Sequence, residues 1–127
     1  MIESEGFAVI GDEAVEELVD HGRGGPGNQG AFDEVLFEEA KPDSWERGAE
    51  VGSATGHYIV TPGGHAVYTV VLHLGDAGTL VAAGRLPYDR SLGNGWIAVT
   101  GGTGNFQDAR GRLQVDFKNP KRYTYPA

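Results

Sequence analysis

Trp96-Ile97-Ala98-Val99-Thr100-Gly101-Gly102-Thr103-Gly104-Asn105-Phe106, with Ala109-Arg110-Gly111 close behind, is the stretch that decides the fold. It opens as a short β-branched run and breaks at a glycine cluster. The glycines resemble a phosphate loop only superficially. No Lys-Ser/Thr follows to hold phosphate and magnesium, so a tight turn at a sheet end is the better reading. A helical turn is expected over Gln107 to Arg110, stopped by Gly111.

The same grammar extends outward in both directions. Thr79 to Leu86 reads as a strand rich in small residues, entered through the turn Gly75-Asp76-Ala77-Gly78. His65 to Leu74 and Val51 to Thr61 form a hairpin around Pro62-Gly63-Gly64. Phe32 to Glu39 is a strand closed by a turn at Pro42-Asp43, and His21 to Gly30 is a loop. Leu113 to Phe117 and Arg122 to Tyr125 complete the set at the C-terminal side. Ala14 to Val19 favours helix by propensity alone. Residues 1–13 are expected to be a flexible N-terminal arm, and residues 14–127 a single domain. Seven or eight short strands at this spacing argue for a sandwich or a barrel. Closure removes the sheet edges, and about eight strands leave room for one small ligand.

Composition narrows the function. The 127 residues carry a net charge of −8, which repels phosphate backbones and argues against nucleic acid as a partner. No cysteine is present, so disulfides, thiolate catalysis and Cys-ligated zinc are excluded. No run approaches the ~20 apolar residues of a membrane span, and the acidic N-terminus has no signal-peptide core. A cytoplasmic protein without a membrane partner is expected. His65 and His73 are about 26 Å apart if they lie on one strand, so they cannot share a metal ion. Ser4, Ser44, Ser53 and Ser91 lack the elbow of a nucleophilic serine. Most of the carboxylates suit a solvated face. In Phe32 to Phe37, alternation puts Phe32, Glu34 and Leu36 on one face and Asp33, Val35 and Phe37 on the other. Both faces are mixed, so alternation does not say which carboxylate points inward. One that did would be a candidate acid or base. Tyr58, Tyr68, Tyr88 and Trp96 are candidate pocket aromatics or ordinary core.

The block Trp96 to Phe106 with Ala109-Arg110-Gly111 resembles the signature of plant allene oxide cyclases and dirigent proteins. The loop Arg23-Gly24-Gly25-Pro26 and the turn Gly75 to Gly78 resemble the cyclases too. Phe32 to Phe37 and Val51-Gly52-Ser53-Ala54-Thr55-Gly56 also resemble bacterial spirotetronate cyclases. The resemblance runs from about residue 14 to the end. It implies an all-β chain folded as an eight-stranded antiparallel, calycin-like barrel, which moves residues 14–19 from helix to strand. It also implies a homo-oligomer, dimer or trimer, with no metal or organic cofactor. By the same resemblance the catalytic glutamate falls on Glu17, a water-holding proline on Pro26 and a pocket phenylalanine on Phe32. Glu34, Tyr58 and Leu86 take pocket positions, Tyr58 with a catalytic role, and Trp96 is a further substrate-binding candidate. Val19 and Glu34 stand where the plant site has asparagines, so a different substrate is expected on the same scaffold. Gly56, Tyr58, Ala82, Gly84 and Leu86 are implied to face inward, the small ones widening the lumen. The implied activity is ring closure in a linear, unsaturated polyketide- or lipid-like substrate. The alternative is a dirigent-like protein that binds such a molecule and controls its stereochemistry.

Overall fold

The computed structural model describes residues 6–19, 27–87, 95–117 and 121–126, with the side chains of residues 13–19 outside that description. Eight strands run β1 Phe7–Val19, β2 Gln29–Glu39, β3 Arg47–Val60, β4 His65–His73, β5 Thr79–Pro87, β6 Gly95–Gly102, β7 Gly111–Asp116 and β8 Lys121–Tyr125. Each pairs antiparallel with the next, and β8 closes on β1. Closure leaves no unpaired edge. Among the described residues, no helix is long and apolar enough to cross a membrane.

Alternation decides what fills the barrel. Ala66, Tyr68, Val70 and Leu72 of β4 are buried, and Leu80, Ala82 and Leu86 of β5 meet them. On β2 the inward set is Phe32, Glu34 and Leu36, which resolves the ambiguity of that strand. The hairpin register is Val60 opposite Ala66 and Tyr58 opposite Tyr68.

Two expectations need correction. β1 begins at Phe7, so residues 7–13 belong to the barrel and not to an arm. Phe7 and Val9 are buried, and their backbones pair with Tyr125 and Tyr123. Burial of such side chains outweighs the polar look of the segment. The Gln107 to Arg110 turn is also displaced: a single 3₁₀ turn forms at Gly104–Phe106 instead. It starts at Gly104 with φ +62°, a conformation glycine adopts without strain, and the chain re-enters the sheet at Gly111 with φ +105°.

The barrel has two distinct ends. At one, the 3₁₀ turn tucks Phe106 into the core, where its ring meets Phe7 edge-on at 5.8 Å. At the other lie the strand ends Val19, Gln29, Pro87, Gly95, Asp116 and Lys121, with the turn between Val60 and His65; residues 20–26, 88–94 and 118–120 lie outside the described residues. These are called the capped end and the loop end. Outside the wall near the capped end, Glu39 accepts the backbone N–H groups of Asp43 and Trp45, both at 3.0 Å. Arg122 clamps the same turn through Glu39 and Asp43.

Candidate functional site

The loop-end half of the lumen holds a polar cluster inside an apolar wall. Glu34 comes from the middle of β2, Tyr68 from β4, and Lys121 and Tyr123 from β8. Glu34 is 2 % exposed. Its Oε1 accepts the Tyr123 hydroxyl at 2.5 Å, and its Oε2 lies 2.6 Å from Lys121 Nζ. Oε2 accepts no well-directed hydrogen bond, so the ammonium is what balances it. The Tyr123 proton is committed to Glu34. The Tyr68 hydroxyl therefore donates to Tyr123 at 3.3 Å and accepts from Lys121 at 3.4 Å. The four groups close a ring: Lys121 to Tyr68, Tyr68 to Tyr123, Tyr123 to Glu34, and Glu34 back to Lys121. Cyclic networks of this kind are strengthened by the low local dielectric.

Burial holds the Tyr123 phenol well above the ordinary tyrosine value, and the neighbouring Tyr68 and Glu34 push it the same way. The hydroxyl is thus a standing hydrogen-bond donor at any physiological pH. Aromatic rings enclose the cluster. Phe32 stacks on Tyr68 at 5.6 Å, and Phe117 stands edge-on to Tyr68 at 5.5 Å.

Glycines in this half seat large neighbours and do not widen the lumen, contrary to expectation. A Cβ on Gly56 would lie 2.5 Å from the Phe32 ring, and one on Gly84 would lie 2.9 Å from Ile97. A Cβ on Gly30 would fall 2.3 Å from the Tyr58 ring. On β1, Gly11 leaves the room that the Tyr123–Glu34 pair occupies, since a Cβ there would touch both at 3.2–3.3 Å.

Of the residues singled out from sequence, Phe32 and Glu34 sit in the cluster itself. Tyr58 is half-buried over Gly30, and Leu86 is buried against Gly95. Trp96 is set apart. Ile97 and Val99 take the inward positions of β6, so Trp96 projects outward at 41 % exposure, stacked on the Arg112 guanidinium at 3.9 Å. The backbone of Glu17 pairs with Ala31. Its side chain lies outside the described residues, as do Pro26 and Tyr88. His65 and His73 stand at opposite ends of β4. Among the described residues, no three His, Asp or Glu side chains converge on a metal position.

Lys121, Tyr123 and Phe117 were missed by the sequence reading. The signal for two of them existed: Lys121-Arg122-Tyr123-Thr124-Tyr125 alternates, so inward tyrosines carry Lys121 inward with them.

No family model and no curated protein matches the chain. Solved structures do. The chain is similar to a pyocyanin demethylase with a TM-score of 0.75 and 25 % identity, over 94 % of this chain and 96 % of that one. It is similar to a pterocarpan synthase dirigent protein with a TM-score of 0.63 and 22 % identity, over 94 % and 84 %. The second likeness carries the fold alone.

Proposed function

We propose that this barrel is a cofactor-independent isomerase that closes a ring in an apolar, unsaturated, polyketide- or lipid-like substrate held in its loop-end half. One observation carries the reading: a buried carboxylate, an ammonium and two phenols are wired together inside an apolar lumen. Burying such groups is costly, and apolar residues of similar volume would hold a barrel at least as well. Residues of this kind concentrate where chemistry is done. The name of the pyocyanin demethylase neighbour speaks of a small organic molecule, which agrees with a small-molecule lumen here.

The chemistry needs no cofactor. Ring closure by isomerisation turns π bonds into σ bonds, with no atom gained or lost. Confinement of a flexible chain in one reactive conformer can remove several kcal/mol of barrier, up to about 7–11 in the best cases. Lys121 N–H is the donor for a substrate carbonyl, and a hydrogen bond there polarises the reacting system. Glu34 holds the ammonium in place, and Tyr123 in turn holds Glu34. Glu17, Tyr58, Pro26 and Leu86 remain proposed as further lining or catalytic residues, and a dimer or trimer remains the proposed assembly.

The test is deletion of the gene in its host, with complementation by wild type or Glu34→Gln. An isobaric, more unsaturated linear compound should accumulate in the deletion strain. Wild type should clear it about a hundredfold faster than Glu34→Gln, the lower range for a lost preorganised hydrogen-bond donor. An unchanged metabolite profile overturns the proposal. The resemblance of the Trp96 to Phe106 block to dirigent proteins carries one alternative, in which the barrel binds the molecule and steers its stereochemistry. In that case product masses persist while stereochemical purity falls.

A further inference from the structure

Lys121 is surrounded in a way that a structural ion pair does not require. Its Nζ lies 4.3 Å from the Phe32 ring centroid, 5.1 Å from Phe117, 5.7 Å from Tyr123 and 5.9 Å from Tyr68. All four are within the range at which a ring face attracts a cation. The planes of Phe32 and Tyr68 are within 25° of parallel, and Phe117 stands at 90° to Tyr68. The Tyr68 and Phe117 planes are thus perpendicular, and the Glu34 carboxylate lies 2.6 Å from the ammonium these rings surround. Aromatic faces around a carboxylate make a receptor for a substituted ammonium group. Here the occupant is the chain's own ammonium. It is carried on a four-carbon stem at the first residue of β8, where the chain comes in from the loop end. The lysine side chain is 14 % exposed, against 1 % for Glu34. The occupant is therefore the more accessible partner, and its rotatable stem can withdraw while the carboxylate cannot. The net charge of −8 adds a field that concentrates cations near the barrel.

We infer that the loop-end lumen is a binding site for a monocationic small molecule bearing a substituted ammonium, with Lys121 as a tethered placeholder that leaves the cage when the ligand enters. Two cations in one cage repel, so ligand entry and lysine exit are one event. The inference rests on the reading of the lumen as a small-molecule site and goes beyond ring closure: a neutral substrate would keep Lys121 in place as donor, whereas a cationic ligand takes the lysine's place.

The probes are benzyltrimethylammonium and its neutral isostere neopentylbenzene, titrated into the full chain and followed by the NMR signals of the aromatic rings. Wild type should bind the cation about tenfold or more tighter than the isostere, with shifts centred on Phe32, Tyr68, Phe117 and Tyr123. Lys121→Ala frees the cage and its carboxylate, and it should bind the cation about tenfold tighter than wild type does. Equal binding of the two probes, no binding, or shifts centred elsewhere would overturn the inference. So would weaker cation binding by a folded Lys121→Ala. Should that variant not fold, the wild-type comparison of cation with isostere still decides. These are equilibrium measurements without turnover. A cation preference with an unchanged metabolite profile removes the isomerase and keeps the cation site. An isobaric precursor without cation preference does the reverse.

Discussion

At the capped end, Phe106 lies against Phe7, and Phe7 in turn against Tyr125 at 5.7 Å. The Tyr125 hydroxyl donates to the Arg110 carbonyl at 2.8 Å, so even the polar tip of this half is satisfied by the wall itself. In the loop-end half, the same kind of wall surrounds Glu34, Lys121, Tyr68 and Tyr123, which pair with one another across strands far apart in sequence. The capped half is packed as a core and contributes stability by burying apolar area. The other half carries desolvated charge, which contributes little or nothing net to stability. The contrast separates the half that holds the fold from the half proposed to bind the small molecule.

That contrast can be attacked from either side. The largest effect belongs to the capped end: Phe106→Ala should cost about 3–5 kcal/mol of unfolding free energy, measured by denaturant titration. Cation binding by the folded fraction should be unchanged. A cost near zero would show that the capped half is not the anchor.

Next comes the ion pair. Lys121→Met leaves Glu34 buried without its counter-charge and should destabilise by about 3 kcal/mol, the low end for a broken buried pair, because the lysine is partly exposed. The double variant Glu34→Leu with Lys121→Met should regain most of that stability, to within about 1 kcal/mol of wild type or better. If the double variant stays as unstable as the single, the cluster is structural and the division between the halves fails.

The smallest effect is on the pH profile. Tyr123 has a folded-state value raised above the unfolded one of about 10. Above pH 10 the unfolded chain loses that proton while the folded chain keeps it, so the folded chain binds more protons. The contribution of this group is therefore fully present below pH 10 and is lost as pH rises towards the folded value. Wild type should lose stability between pH 10 and 11 more steeply than Tyr123→Phe, as read by thermal melts. Identical slopes would show that the phenol is not held protonated by its surroundings.

Much of this architecture was legible beforehand. The hairpin at Pro62-Gly63-Gly64, the turn at Gly75 to Gly78 and the block from Trp96 to Phe106 announce strands and their breaks through local chemistry. Phe32 and Glu34 were named through the family resemblance; alternation put them on one face but left open which face looks inward, and burial places both inside. Trp96 was misplaced because its neighbours are apolar on both sides, and only its partners show that Ile97 and Val99 take the interior. Lys121 was overlooked because a lysine in a short C-terminal strand reads as surface.

The positions of most strands and of the turns between them followed from residue chemistry that acts over a few positions: glycine and proline break strands, and β-branched runs extend them; the closed antiparallel barrel was implied by the family resemblance. The tertiary structure alone decided which face of each strand looks inward, that Phe7 to Gly11 joins the wall, and that the glycines seat rings in place of empty space. It alone brought Glu34 to Lys121 and Tyr123, nearly ninety residues away along the chain. The physical reason is closure. Register around a closed sheet is set jointly by all eight strands, and no strand carries that information by itself.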